Sequence, residues 1–197
     1  MTIEASLSTL KQIRSAHLRH HEQGVGRIAR AVALALGREA AYAELLSRAA
    51  ALHDFGKMAI ADAILLKPGK LDSGELETTQ NHTIHGADVL RAAGSQVTDM
   101  AAPIALHHHE CWDGSGYPHG LRGEAIPVEA RVASVSDYYY DALRELRPYK
   151  ALRSHEEVMQ MILGNARGAP TNKFDPVILH LAEAQPELFR TAYEALN

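Results

Sequence analysis

One cysteine, Cys111, stands among 197 residues. A lone thiol closes no internal disulfide, which excludes a stapled secreted scaffold, and it cannot build a thiolate zinc finger. Aromatic residues are scarce at 6%, so the 46% hydrophobic share rests on alanines and leucines and points to an alanine-rich helical core. Positive charge is not in excess either. Twenty Lys+Arg against 24 Asp+Glu leave a formal charge of -4 with neutral histidines, so no global electrostatic case for nucleic acid follows. No apolar run approaches the length of a membrane span, and the first 22 residues lack the basic patch and apolar stretch of a signal peptide. These absences predict a soluble protein in a reducing compartment. The length suits one domain, and no linker or repeat divides it.

The period of the apolar residues is helical nearly throughout. His21, Val25, Ile28, Val32 and Leu36 advance by three or four along one stripe, with Gly37 as the stop. Further helices are predicted over about 40–52, 83–93, 98–109 and 128–145, and Pro103 should kink or restart the fourth. Ser154 followed by Glu157 fits a capping box opening a helix through Val158 and Ile162. Two proline-led helices, about 175–183 and 186–196, close the chain. No strand-like alternation of useful length occurs. Glycine and proline punctuate 67–70, 113–118 and 168–170. The expected architecture is all-α: one helical bundle over 1–197, with an N-terminal helix over about 1–16 and C-terminal helices over about 151–197 packed on the core.

What the chain has in excess is histidine, 12 in all. His53 and Asp54 end a predicted helix side by side. An imidazole nitrogen binds one cation, whereas a carboxylate can bridge two; alternatively the pair caps its helix. His82 and His85 stand three apart at a helix entrance. His107, His108 and His109 are consecutive, and successive helical positions rotate by about 100°, so all three cannot be core residues. His17 and His21 are spaced i,i+4, as are Asp137 and Asp141. Asp137 follows an apolar stretch and should be buried, which is unfavourable unless a cation or an ion pair with Arg131 or Arg147 compensates. Imidazoles mixed with carboxylates suit iron, manganese, zinc, cobalt or nickel better than calcium or magnesium.

In this order the pieces resemble the HD-GYP family of bacterial cyclic-dinucleotide phosphodiesterases, a branch of the HD metal-dependent phosphohydrolases. The resemblance runs from about His17 to Pro176. His53-Asp54-Phe55-Gly56-Lys57 is similar to the histidine-aspartate signature, and Lys67 to Leu71 to the segment after it. His82 and Gly86 match the next motif. His108-His109-Glu110, with Asp113, Gly114, Gly116, Tyr117 and Pro118, resembles the defining loop. Asp137, Asp141, Arg147, Lys150 and Phe174-Asp175-Pro176 complete the series.

The resemblance implies a helical bundle with a two- or three-metal centre that hydrolyses cyclic di-GMP to the linear dinucleotide, and onward to GMP in some cases, in the bacterial cytoplasm. His21, His53, Asp54 and Asp137 would hold one ion, and Asp54, His82, His108 and His109 its neighbour. Iron is the expected metal, manganese the next, and zinc less suited. Cations about 3.5–4 Å apart would trap a bridging hydroxide as nucleophile. Asp54 and Lys57 are the catalytic candidates; Lys57, Arg147, Lys150 and His85 are the candidates for substrate contact, with a solvated surface pair as the alternative for Arg147 and Lys150. Gly116, Tyr117 and Pro118 form a loop that a signalling protein could contact.

Members of the family commonly sit behind a receiver or sensory domain, for which this chain leaves no room. Three positions depart from the family pattern. His17 stands where the trinuclear subset has glutamate, so it either serves as a nitrogen ligand or leaves two metals rather than three. His85 replaces a common proline, and Gly24 a common arginine. Two other readings fit: a phosphodiesterase for another cyclic dinucleotide, or a metal-containing regulatory domain that signals through partners. Oligomeric state is open, because apolar terminal helices could pair between chains or serve as core.

Overall fold

The computed structural model describes residues 9, 18–144, 153–165 and 172–195. The helix expected over 1–16 lies outside the described residues apart from Thr9, as do His17, Arg147 and Lys150. Among the described residues every regular element is a helix.

Helix α1 (Leu18–Ala35) buries Val25, Ile28, Ala29, Val32 and Ala33. This is the stripe at three- and four-residue steps, and each fully buried Ile or Val contributes about 1.5–3 kcal/mol. Gly37, at φ 77°, ends the run. Helix α2 (Ala40–Ala50) lies close against α1 because Gly26 has no side chain: a Cβ there would sit 2.5 Å from the Ser47 carbonyl oxygen. The chain then passes through His53 and Asp54 into a 3-10 turn, Phe55–Ala59.

Helices α3 (Asp62–Leu65) and α4 (Ser73–Gln80) form a polar excursion before α5 (His82–Ala93) and α6 (Gln96–His107). Left-handed Gly94 closes α5, and Ser95 opens α6 through a reciprocal box with Thr98. Helix α7 (Val128–Arg144) follows the loop that begins at His108. Helices α8 (His155–Ile162), α9 (Pro176–Ala184) and α10 (Glu187–Glu194) complete the described chain.

Helix α1 packs against α2, α7 and α10, while α6 packs against α2, α5 and α7. Leu46, Leu90, Ile104, Val135, Tyr139, Ile162 and Phe189 fill the space between them. The C-terminal helices join this core, α8 against α7 and α10 against α1.

Within the described residues the expected helices are present, with corrections at Pro103 and over 62–80. Helix α6 spans Gln96–His107 as one element, with no restart at Pro103. The proline withholds an amide from the Asp99 carbonyl, but Asp99 is exposed and water can serve that oxygen. Helix α4 was not expected. It buries no side chain, so it carries no apolar stripe, and a full capping box between Asp72 and Glu75 starts it.

Candidate metal centre

Five segments deliver donors to one buried point. His21 comes from the first turn of α1, His53 and Asp54 follow α2, His82 opens α5, His108 and His109 follow α6, and Asp137 lies in mid-α7. Close approach of the 3-10 turn to α5 is possible only because Gly56 and Gly86 meet there. A Cβ on Gly56 would lie 1.8 Å from the His82 carbonyl oxygen, and one on Gly86 would lie 2.9 Å from the Gly56 nitrogen. The glycine after the His-Asp pair therefore sets the distance between Asp54 and His82.

The two oxygens of Asp54 face different groups. Oδ2 lies 3.4 Å from His53 Nε2 and 3.8 Å from His21 Nε2. Asp137 Oδ1 closes that group, 3.3 Å from His21 Nε2 and 3.4 Å from His53 Nε2. Oδ1 of Asp54 instead lies 3.3 Å from His82 Nε2 and 3.7 Å from His108 Nε2. His109 adds a donor atom to this second group. A third set, His21, Asp137 and Asp141, shares residues with the first.

Backbone carbonyls determine which imidazole nitrogens face inward. His53 Nδ1 lies 2.8 Å from Ala50 O, His82 Nδ1 2.7 Å from Thr79 O, and His108 Nδ1 3.1 Å from both Ile104 O and Ala105 O. A carbonyl only accepts, so each Nδ1 carries the proton and each Nε2 presents a lone pair to the centre. His21 is oriented by Asp141, whose Oδ1 lies 3.0 Å from His21 Nδ1.

Among the described residues, Asp54 Oδ1, His82 Nε2, His108 Nε2 and Asp137 Oδ1 are buried without a hydrogen-bond partner. Lone pairs converging from four elements repel one another unless a cation lies between them. The mixed nitrogen and oxygen donors, and their orphaned inward atoms, fit transition-metal ions.

Electrostatics point the same way. Burial opposes charge on His53, yet the Asp54 and Asp137 carboxylates outweigh it and raise the imidazole to about 10. For Asp54 burial is likewise overcome, here by the Lys57 ammonium and His53, which hold the carboxyl well below its usual range. Asp137 is held low by His53 and His21 against the same opposition. His108 is pushed down to about 4, chiefly by burial, and His109 is lowered by burial and by His108. The site thus holds ionised carboxylates at Asp54 and Asp137 and keeps His108 and His109 neutral, while the carboxylates favour positive charge beside His53, which a proton or a metal ion can supply.

Lys57 Nζ lies 2.5 Å from Asp54 Oδ2, with about a third of its side chain exposed (30%). Arg131, considered as a partner for Asp137, pairs instead with Asp175. His85 is exposed on α5 and joins neither donor group.

The loop of Gly116, Tyr117 and Pro118 folds back on the histidine turn. A Cβ on Gly116 would lie 2.4 Å from both the Cys111 nitrogen and the His109 carbonyl oxygen, so no larger residue fits. The Tyr117 amide donates to His109 O at 3.2 Å, and its ring stacks on His109 with centroids 4.7 Å apart. The visible work of Tyr117 is to hold a donor of the second group. Gly24 has an equally local reason. A Cβ there would sit 2.0 Å from the ring of Tyr140, which stands edge-on to His21.

Two contributors escaped sequence reasoning. Asp141 appeared as the i+4 neighbour of Asp137 and as a letter of the family series, with no role given, whereas its partner His21 lies on another helix. Glu110 was one letter of a motif, yet its buried carboxylate accepts from the amides of His119 at 2.8 Å and Leu121 at 3.0 Å and so ties down the far side of the loop. Its position straight after the histidine run was the available signal.

The chain is thus a helical bundle in which one carboxylate lies between two imidazole-rich donor groups that could hold metal ions. Residues 6–178 match the HD domain family, and the chain belongs to it. A probable cyclic di-GMP phosphodiesterase of Vibrio cholerae is 39% identical over 188 residues, covering 88% of this chain and 42% of that protein. A 3'3'-cGAMP-specific phosphodiesterase of the same organism is 35% identical, covering 89% and 33%. The chain thus spans less than half the length of these relatives. The HD domain of the Listeria monocytogenes phosphodiesterase PgpH, solved with cyclic-di-AMP, superposes with a TM-score of 0.61 at 18% identity, covering 98% of this chain and 95% of that one, which shows the shared fold. Among the described residues no helix is long and apolar enough to cross a membrane.

Proposed function

We propose that this single domain is a metal-dependent phosphodiesterase of the bacterial cytoplasm that opens cyclic di-GMP to the linear dinucleotide. The observation that carries the reading is Asp54, whose two oxygens each face a separate set of histidines at 3.3–3.8 Å. Relatives named as cyclic di-GMP phosphodiesterases support the substrate.

His21, His53, Asp54 and Asp137 would hold one ion, and Asp54, His82, His108 and His109 the other, with iron or manganese the best match to the donor set. Ions bound there supply Lewis acidity toward a phosphoryl oxygen and activate water near neutral pH. The protein's own part is positioning. Lys57 keeps its proton, because Asp54 more than offsets the burial that opposes it, and its raised pKa leaves a cation beside the centre for the anionic phosphodiester. His109 is held by the Tyr117 ring, and the Tyr117 phenol stays neutral because burial and the nearby carboxylates raise its pKa. Arg147 and Lys150 remain the candidates for a second phosphate or a guanine edge, with exposed His85 a further candidate at the rim. A signalling protein would meet the loop through Tyr117 and Pro118, both half-buried. His17 as an added ligand would extend the His21, Asp137 and Asp141 set to a third ion.

A second substrate has its own support, because 35% identity to a cGAMP-specific relative is close to the 39% of the cyclic di-GMP relative. Protein purified without oxygen, with metals counted per chain, should hydrolyse cyclic di-GMP faster than 3'3'-cGAMP. The variants Asp54→Ala and His82→Ala should lose metal and more than ~100-fold in rate. The reverse preference selects the second substrate. Full metal occupancy without turnover of either dinucleotide overturns the enzyme reading in favour of a regulatory domain.

A further inference from the structure

On the opposite side of the histidine turn lies a second set of donors. His107 ends α6, and its Nδ1 is buried without a hydrogen-bond partner among the described residues, 3.8 Å from Glu110 Oε1. That distance is too long for a hydrogen bond. It is close to the separation of two ligand atoms on one tetrahedral ion, about 3.4 Å for bonds of ~2.1 Å. The Glu110 side chain is fully buried, and each oxygen accepts one neutral amide, from His119 and from Leu121. Each oxygen therefore keeps a lone pair. His119 follows Pro118 and is exposed, with its ring centroid 5.5 Å from that of His107. Donor atoms of His107, Glu110 and His119 all lie within 4.8 Å of one another.

We infer that His107, Glu110 and His119 form a separate site for one divalent ion of the zinc class, bridging the end of α6 to the far side of the loop that carries Tyr117. Two imidazoles and one carboxylate are a common zinc donor set, with a fourth position left for water. None of the three belongs to the Asp54 centre, although His107 and Glu110 bracket the two histidines that do. The separation follows from the chain's geometry. His108 and His109 turn their rings toward Asp54, and the rotation of about 100° per residue sends His107 the other way. The ion would close the ring 107–119 around the Gly116–Pro118 segment and hold the loop on His109. Its binding does not depend on the reaction catalysed at the other centre.

The test removes the Asp54 centre and counts what remains. The double variant Asp54→Ala with His82→Ala, made in an Asp137→Ala background so that the His21, Asp137 and Asp141 set is lost as well, and checked for folding by circular dichroism, should bind one Zn2+ in calorimetric titration. Adding His119→Ala, an exposed position that folding does not need, should weaken that binding at least ~100-fold. No binding by the double variant overturns the site, and so does binding that His119→Ala leaves unchanged. If the double variant does not fold, the comparison moves to the full chain saturated with manganese. His119→Ala should then take up one Zn2+ fewer than the parent, and equal uptake rejects the proposal. Dinucleotide hydrolysis in the same samples reports on the Asp54 centre alone, so failure of either reading shows separately.

Discussion

Gly56 and Gly74 separate two uses of the same residue. At Gly56 an added methyl meets the His82 carbonyl at 1.8 Å and the Gly86 nitrogen at 2.5 Å, both backbone atoms that cannot rotate away. Gly56→Ala should therefore push the His53–Asp54 turn off α5. The expected loss is about 1–3 kcal/mol in urea denaturation, together with a fall in bound metal. Gly74, in the first turn of α4, has only an Asp72 oxygen at 3.6 Å. Gly74→Ala should be neutral or stabilise by up to about 1 kcal/mol, because it lowers the entropy of the unfolded chain. Equal effects at the two sites would remove the close-approach argument for the centre. Asp141 is a second residue-scale case. Its carboxylate is 64% exposed yet orients His21 at 3.0 Å, so Asp141→Asn should leave the melting temperature of the chelated, metal-free chain unchanged while weakening metal binding or turnover ~10–100-fold.

At the scale of elements, caps and stripes made most helices readable in advance. Helix α8 shows both, a Ser154–Glu157 box and buried Val158 and Ile162. Helix α9 has Pro176 at its start and Asp175 as its cap, accepting from the Val177 amide at 2.8 Å. Helix α4 shows the limit: with no buried face there was no period to find, and only Asp72 and Glu75 announced it. Asp175 also shows what spacing does not reveal, because its partner Arg131 is 44 residues away on α7. These two caps should differ in weight. Ser154→Ala removes an exposed hydrogen bond and should reduce stability by about 1 kcal/mol. Asp175→Ala removes the α9 cap and leaves the largely buried Arg131 guanidinium unpaired, which should reduce it by about 3 kcal/mol or more. Asp175→Asn keeps an acceptor for Val177 and should fall between them. Thermal melts of the three variants decide it; parity between Ser154→Ala and Asp175→Ala would mean that the α7–α9 ion pair contributes nothing.

For the whole molecule, the site was legible as residue types in order, and its wiring was not. His53-Asp54 and the His107–Glu110 run are local, so adjacency revealed them. That Asp54 Oδ2 faces His21, itself against Asp137, while Oδ1 faces His82 and His108 depends on how α1, α5, α6 and α7 pack, and no spacing contains that. His119 was invisible for the same reason, since a loop and not a helix brings it to His107. The packing also places the stability of the metal-free chain at risk. Buried, unpartnered atoms of Asp54, His82, His108 and Asp137 come from segments up to 83 residues apart (54 to 137), so an ion among them binds the folded chain and not the unfolded one. At a thousandfold excess over its dissociation constant, one such ion stabilises by about 4 kcal/mol. For a chain of this length each kcal/mol moves the melting temperature by about 2–4 °C. Chelation should therefore lower the midpoint by ~8–16 °C, and anaerobic Fe2+ or Mn2+ should restore it. In Asp54→Ala, which removes the shared carboxylate, the midpoint should respond little to either treatment. A wild-type midpoint indifferent to chelator, in protein shown to have carried metal beforehand, would mean that these converging side chains are held by the fold alone.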